Sequence, residues 1–133
     1  MKSKAQGTVA QLKVAQELIR RGYSVFYEYG DSSRIDLIAV KGKRTIKLQI
    51  KSTHSKNNVA TLTLRKCGHQ NSYVYKKSDV DYFGLYVIDK DDILFISSGE
   101  ALKFNKAVIS FRYTKPIVFK GKRTRLAAKY KTL

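Results

Sequence analysis

The chain has 133 residues, the size of one domain, and its 27 Lys+Arg against 10 Asp+Glu give a net charge of +17 and a pI near 10.1. A hydrophobic fraction of 43% excludes general disorder, and no apolar run approaches the ~20 residues of a membrane span. The single cysteine, Cys67, excludes an internal disulfide framework and, with no apolar leader in the first residues, gives the expectation of a cytoplasmic single domain over residues 1–133.

Residues 8–21 carry a helical pattern that stops at Gly22. With Gln11 as origin and 100° per residue, Val14, Leu18, Ala15, Ile19 and Leu12 fall in an arc from about −60° to +100°. Lys13, Gln16, Glu17 and Arg20 lie opposite. Gln11 therefore sits in the apolar stripe, where an unsatisfied amide costs roughly 1–3 kcal/mol, so it is hydrogen-bonded or serves a purpose.

Three strands follow, at 23–29, 35–41 and 45–53, with Gly30-Asp31-Ser32-Ser33 as the turn between the first two. Gly42-Lys43 closes a two-residue hairpin between the second and third. Ile35 then faces Ile50, Leu37 faces Leu48 and Ala39 faces Ile46, three apolar pairs on one face. Further strands are expected at 59–64, 82–88, 93–97 and 108–113, with a hairpin around Asp89-Lys90-Asp91-Asp92 and a short helix from Ser98-Gly99-Glu100. The stretch 101–133 is strongly basic and its course from Lys115 has no clear pattern; it folds back or orders on a partner.

The charge is unevenly placed. Residues 37–77 and 101–133 contain no acid and hold ten basic residues each. Such surface favours a polyanionic partner through counterion release, and taken alone it suits a small RNA-binding protein.

The hairpin register has a second consequence: Asp36 stands opposite Gln49, and Lys51 shares the face of Gln49. If the helix covers that face, Gln11 joins them, and Gln11, Asp36, Gln49 and Lys51 converge in an apolar layer. A structural ion pair between Asp36 and Lys51, with the glutamines satisfying each other, accounts for the same four residues. Oxygen ligands beside a lysine also suit a Mg²⁺ site for phosphodiester cleavage: the hard cation takes carboxylate and amide oxygens, and lysine orients the attacking water or stabilises charge.

The runs Gly7-Thr8-Val9-Ala10-Gln11, Arg34-Ile35-Asp36-Leu37 and Leu48-Gln49-Ile50-Lys51 resemble the PD-(D/E)XK nuclease superfamily. The resemblance implies an α/β fold, a mixed β-sheet with flanking helices around a restriction-endonuclease-like core at about residues 7–97. By it, Asp36 matches the motif aspartate, Gln49 the second acid and Lys51 the lysine. Gln11 stands where small members such as archaeal Holliday-junction resolvases carry a helix glutamate. The Gln-x-Lys ending and Asp79-Val80-Asp81-Tyr82-Phe83-Gly84 are similar to a bacterial group I intron-encoded homing endonuclease of this fold. The implied activity is metal-dependent double-strand cleavage of DNA by a homodimer or larger homo-oligomer such as a tetramer, with Asp36, Gln49 and Gln11 as Mg²⁺ ligands. Because Glu→Gln at residue 11 is nearly isosteric, the chain is expected to be a form inactivated there. A junction resolvase and a non-catalytic RNA-binding module are the alternatives.

DNA contacts are expected from the loops around the site: Ser32, Ser33 and Arg34 on one side, and His54, Ser55, Lys56, Asn57 and Asn58 on the other. Arg65, Lys66, His69, Gln70 and Asn71 add groups able to read base edges. Cys67 and His69 lack a second ligand pair for zinc, and Tyr73, Tyr75 and Tyr82 read as core aromatics or as base-stacking groups.

Overall fold

The first helix, α1 (Ser3–Arg20), ends where the sequence supplies a glycine. Gly22 adopts φ +92°, its N–H donates to Ile19 O at 2.9 Å, and Tyr23 N–H reaches back to Leu18 O at 3.0 Å. This two-bond cap needs a left-handed residue at the turn, which glycine supplies without steric cost. The helix buries Ala10, Val14, Ala15 and Leu18. Leu12 and Ile19, expected in the buried stripe, are instead 59% and 60% exposed. The covered arc runs from Ala10 round to Ala15, only as wide as the sheet face it meets, and both residues fall outside it.

A computed structural model describes residues 2–30, 32–66, 73–103, 106–114 and 125–133. After α1 come β1 (Ser24–Tyr27), β2 (Leu37–Lys41), β3 (Arg44–Thr53), β4 (Val59–Thr63), β5 (Arg65–Lys66) and β6 (Tyr73–Val74). They are followed by β7 (Tyr82–Val87), β8 (Asp92–Ser97), α2 (Ser98–Ala101), β9 (Val108–Arg112) and β10 (Arg125–Leu126). The expected strand at 82–88 stops one residue early, because Ile88–Lys90 turns as a 3-10 helix. The short helix at Ser98 forms as expected, with the Ser97 hydroxyl accepting the Glu100 N–H.

The main sheet has the order β1-β2-β3-β7-β8, with β3 and β7 parallel and the other neighbours antiparallel. The expected hairpin register holds through β2: Leu37 faces Leu48, Ala39 faces Ile46, and Lys41 faces Arg44 beside Gly42 at φ +59°. Leu37, Ala39, Ile46, Leu48 and Ile50 form one buried face, and α1 lies on it through Ala10, Val14 and Leu18. The helix thus covers the face opposite to that of Gln49 and Lys51, which corrects the conditional placement made from the sequence. Strand alternation puts aliphatic side chains on one side of β3 and the amide and ammonium on the other.

The other face meets a second sheet that the sequence reading did not foresee as a layer, in the order β10-β9-β4. Phe83, Leu85, Val87, Leu94 and Ile96 of the main sheet pack there against Ala60, Leu62, Ile109 and Phe111. The fold is a mixed α/β arrangement: helix, five-stranded sheet, then a smaller sheet. None of the described helices is long and apolar enough to cross a membrane.

Close approach of α1 to the sheet depends on Gly84. A Cβ there would lie 2.9 Å from Ile50 Cδ1 and 3.5 Å from Val14 Cγ1. Gly84→Val is expected to lower stability by about 1–3 kcal/mol through overpacking, and Ile50→Val in the same chain to recover part of that loss, as read from urea unfolding midpoints. Equal midpoints for Gly84→Val and the parent chain would show that the helix does not press on this position.

Candidate active site

Asp36 lies one residue before β2, and there the regular ladder ends. Its N–H donates to Leu48 O at 2.9 Å, although Leu48 already faces Leu37 in the register. Two residues of one strand thus address one residue of its neighbour, the geometry of a β-bulge, which re-aims side chains. The Asp36 carboxylate takes the place of the next ladder carbonyl: its Oδ2 accepts the Ile50 N–H at 2.7 Å. The expected Ile35–Ile50 pair is therefore not formed. Ile35 packs with the core between the sheets while Ile50 belongs to the core under α1. The acid ends up on the backbone amide that separates Gln49 from Lys51.

Past this bulge the ends of β1 and β2 splay beside the first half of α1, leaving an open pocket of about 400 Å³. Gln11 and Asp36 both line it, with Lys4 and Tyr27. Their meeting, expected across a sheet face, happens instead at the strand ends. Sequence reasoning missed Lys4, Tyr27 and, the one acid among these three, Glu28. Its position just past a strand of exposed aromatics gave no catalytic pattern; closeness to Asp36 arises only when β1 pairs with β2.

Gln49 and Lys51 reach the opposite side of β3. The Gln49 Oε1 atom is buried and has no hydrogen-bond partner among the described residues. Lys51 Nζ stands over the Tyr75 ring, 5.2 Å from its centroid. Tyr75 itself is buried and meets Phe83 edge-on, so it belongs to the core. Tyr82 is partly buried against the core under α1.

The flanking loops hold their donors on the chain's own carboxylates. Glu28 accepts both the N–H and the hydroxyl of Ser32 and of Ser33, at 2.8–3.2 Å. The Ser33 and Ser32 donors keep its carboxyl below the usual glutamate range. Arg34 Nη1 is paired with Asp79 Oδ2 at 2.7 Å. Burial pushes the Asp79 carboxyl up, but the Lys76 N–H and Arg34 outweigh it, and the net shift is downward. Ser55 donates its hydroxyl and N–H to Asp89, which is likewise shifted down.

Lys56 bridges to Val59 around Asn57 and Asn58, both left-handed at φ 51° and 60°, a two-residue turn that asparagine tolerates. Lys90 Nζ donates to Asn58 Oδ1 at 2.7 Å. His54 and Arg65 are exposed. Lys66 lies in β5, and Tyr73 in β6, while Cys67, His69, Gln70 and Asn71 lie outside the described residues. Among the described residues no three His, Cys, Asp or Glu side chains stand together as a metal cluster. The oxygen donors near Asp36 are carboxylates and amides, which suit a hard divalent cation better than a soft one.

A family model described as PD-(D/E)XK endonuclease matches residues 1–133. The chain is 28% identical over 90 residues to Protein 5.3 of Escherichia phage T7, covering 67% of this chain and 75% of that protein. It is also similar to the solved structure of a bacterial homing endonuclease, I-Ssp6803I, with a TM-score of 0.77 and 20% identity over 98% of this chain and 89% of that one. That likeness shows a shared restriction-endonuclease-like fold.

Two measurements check this geometry. Asp36→Ala strands the Ile50 N–H and is expected to cost about 1–3 kcal/mol in urea unfolding, with Asp36→Asn, which keeps an acceptor, costing less. For Glu28, whose folded carboxyl titrates low, loop closure contributes stability above the ordinary glutamate range and loses it as pH falls through the folded value. Ser33→Ala is expected to move the Glu28 titration, followed by carboxyl NMR, back up toward the ordinary value, and Ser32→Ala to move it less.

Proposed function

The chain belongs to the PD-(D/E)XK endonuclease family, and on that premise we propose that it is a site-specific homing endonuclease that makes double-strand breaks in DNA by metal-dependent phosphodiester hydrolysis. The observation that carries the reading is the seat of Asp36. Its carboxylate rests on the amide between Gln49 and Lys51 and lines one pocket with Gln11. The fold shared with a bacterial homing endonuclease over nearly the whole chain supports the same reading.

The donor set fits Mg²⁺. Asp36 provides a carboxylate and Gln11 an amide in the same pocket, donors of the kind a hard cation takes, whereas Gln49, with a buried oxygen that no described residue satisfies, reaches the opposite side of β3 and does not line that pocket. The bound cation supplies a water of lowered pKa and neutralises charge that builds on the phosphoryl oxygens. Asp36 is held by the Ile50 N–H, so its approach to the pocket is fixed by backbone rather than by a free rotamer. In this reading Lys51 would supply the cation for the negative charge that grows on the transferred group. The two acid-free basic stretches draw in the polyanion, the second adding its charge from residues 101–133.

In this reading Gln11 is the weak point. An amide oxygen carries no full charge, so replacing a helix carboxylate lowers metal affinity while leaving DNA binding intact. Cutting both strands of a duplex calls for two sites, hence a symmetric homodimer, and a long target calls for a larger assembly such as a tetramer.

The test is plasmid cleavage with and without Mg²⁺, for this chain and for Gln11→Glu. The revertant is expected to cut at least tenfold faster, about the effect of ~1.4 kcal/mol at the transition state, and EDTA to abolish cutting. No gain in Gln11→Glu would sink the inactivation reading. Preference for a four-way junction over linear duplex at matched salt would replace homing by junction resolution, and RNA outcompeting DNA, with Asp36→Ala having no effect, would remove the nuclease reading.

A further inference from the structure

Lys51 leaves β3 on the side facing the second sheet, in a row where β7 places Phe83 beside Gln49 and Leu85 beside Lys51. Phe83 and Leu85 are fully buried. A lysine on such a row has a long stem with large rotamer freedom and an ammonium that an apolar layer disfavours. Its head lies instead over the face of Tyr75, 5.2 Å from the ring centroid, where the ring quadrupole attracts a cation.

Tyr75 is placed to hold that position. It is 3% exposed and sits edge-on to Phe83, with centroids 5.2 Å apart and planes at 87°. Phe83 is in turn the register partner of Gln49 on the parallel strand. The ring face offered to Lys51 is thus steadied by β7, the parallel neighbour of the strand that carries Gln49 and Lys51, and it comes from a residue 24 positions further along the chain than Lys51.

We infer that Tyr75 is a positioning residue for cleavage: its ring face orients the Lys51 side chain at the site before DNA arrives. The inference rests on the reading of Lys51 as part of the cleavage machinery. Ordering a flexible lysine in the free protein removes a cost that would otherwise fall on the transition state. What Tyr75 contributes is the ring, so phenylalanine can replace it and leucine cannot.

Proton NMR of the full chain reads the contact directly. The Lys51 ε-methylene protons are expected to be shifted upfield by the ring current, with cross-peaks to the Tyr75 ring, in this chain and in Tyr75→Phe. In Tyr75→Leu the shift is expected to vanish. Single-turnover duplex cleavage, in the Gln11→Glu background if that is needed for a measurable rate, is expected to fall about tenfold in Tyr75→Leu and to stay within about twofold in Tyr75→Phe. Duplex Kd should be the same in all three.

Absence of the upfield shift and cross-peaks in the unsubstituted chain overturns the proposal, even if Tyr75→Leu fails to fold. A lost ring-current shift in Tyr75→Leu with unchanged cleavage also overturns it. If neither this chain nor Gln11→Glu cuts any DNA, the nuclease reading has failed and Tyr75 positions nothing for cleavage; the ring-current comparison then still reports whether Lys51 is held.

Discussion

The arrangement of the site depends on one hydrogen bond, from the Ile50 N–H to the Asp36 carboxylate at 2.7 Å. It replaces a ladder bond that Ile35 would otherwise make, so β2 starts at Leu37 and the chain before it bends away. That bend sends Ile35 into the layer between the sheets and opens the pocket that Gln11 and Asp36 share. A carboxylate can stand in for a backbone carbonyl because it is also an acceptor, and being charged it makes the stronger bond. The acid that the proposed chemistry needs is also the group that ends the sheet ladder.

Electrostatics follow the same economy of acids. Every described carboxylate accepts a hydrogen bond inside the chain: Glu17 from Arg20, Glu28 from two serines, Asp81 from the Lys47 N–H, Asp92 from Tyr113, and so on through Glu100 and Tyr130. Glu17, held by Arg20 and then Arg21, titrates at about 2 despite partial burial. Tyr86 shows the converse, its hydroxyl pushed up to about 12 by donation to Asp91 and by burial. With ten acids against 27 basic residues, the acids organise loops and turns, and the excess positive charge is left to act on a polyanion.

Much of the fold was legible in the sequence because it rests on local rules. Gly22 stops α1, Gly42 turns the hairpin, and the pairing of Leu37 with Leu48 and Ala39 with Ile46 follows from a two-residue turn and apolar alternation. The helix stripe was legible in kind but not in width, since Leu12 and Ile19 are exposed for want of a surface to meet. The side of the sheet that α1 covers was not legible, because either face of β3 satisfies the alternation until a second sheet takes one of them.

The candidate site divides in the same way. Sequence alone determined that Gln49 and Lys51 share one side of β3 and that Asp36 stands next to it at the start of the neighbouring strand, because a hairpin register is a short-range property. The excess of positive charge, which composition alone states, was equally certain. Only the tertiary structure decided how these groups are used. The bulge at Asp36, the place of Glu28 in the pocket, the Gln49 oxygen that no described residue satisfies and the Tyr75 ring over Lys51 all arise where segments distant in sequence meet. Periodicity reports which side of a strand a residue occupies; what waits on that side is set by packing between layers.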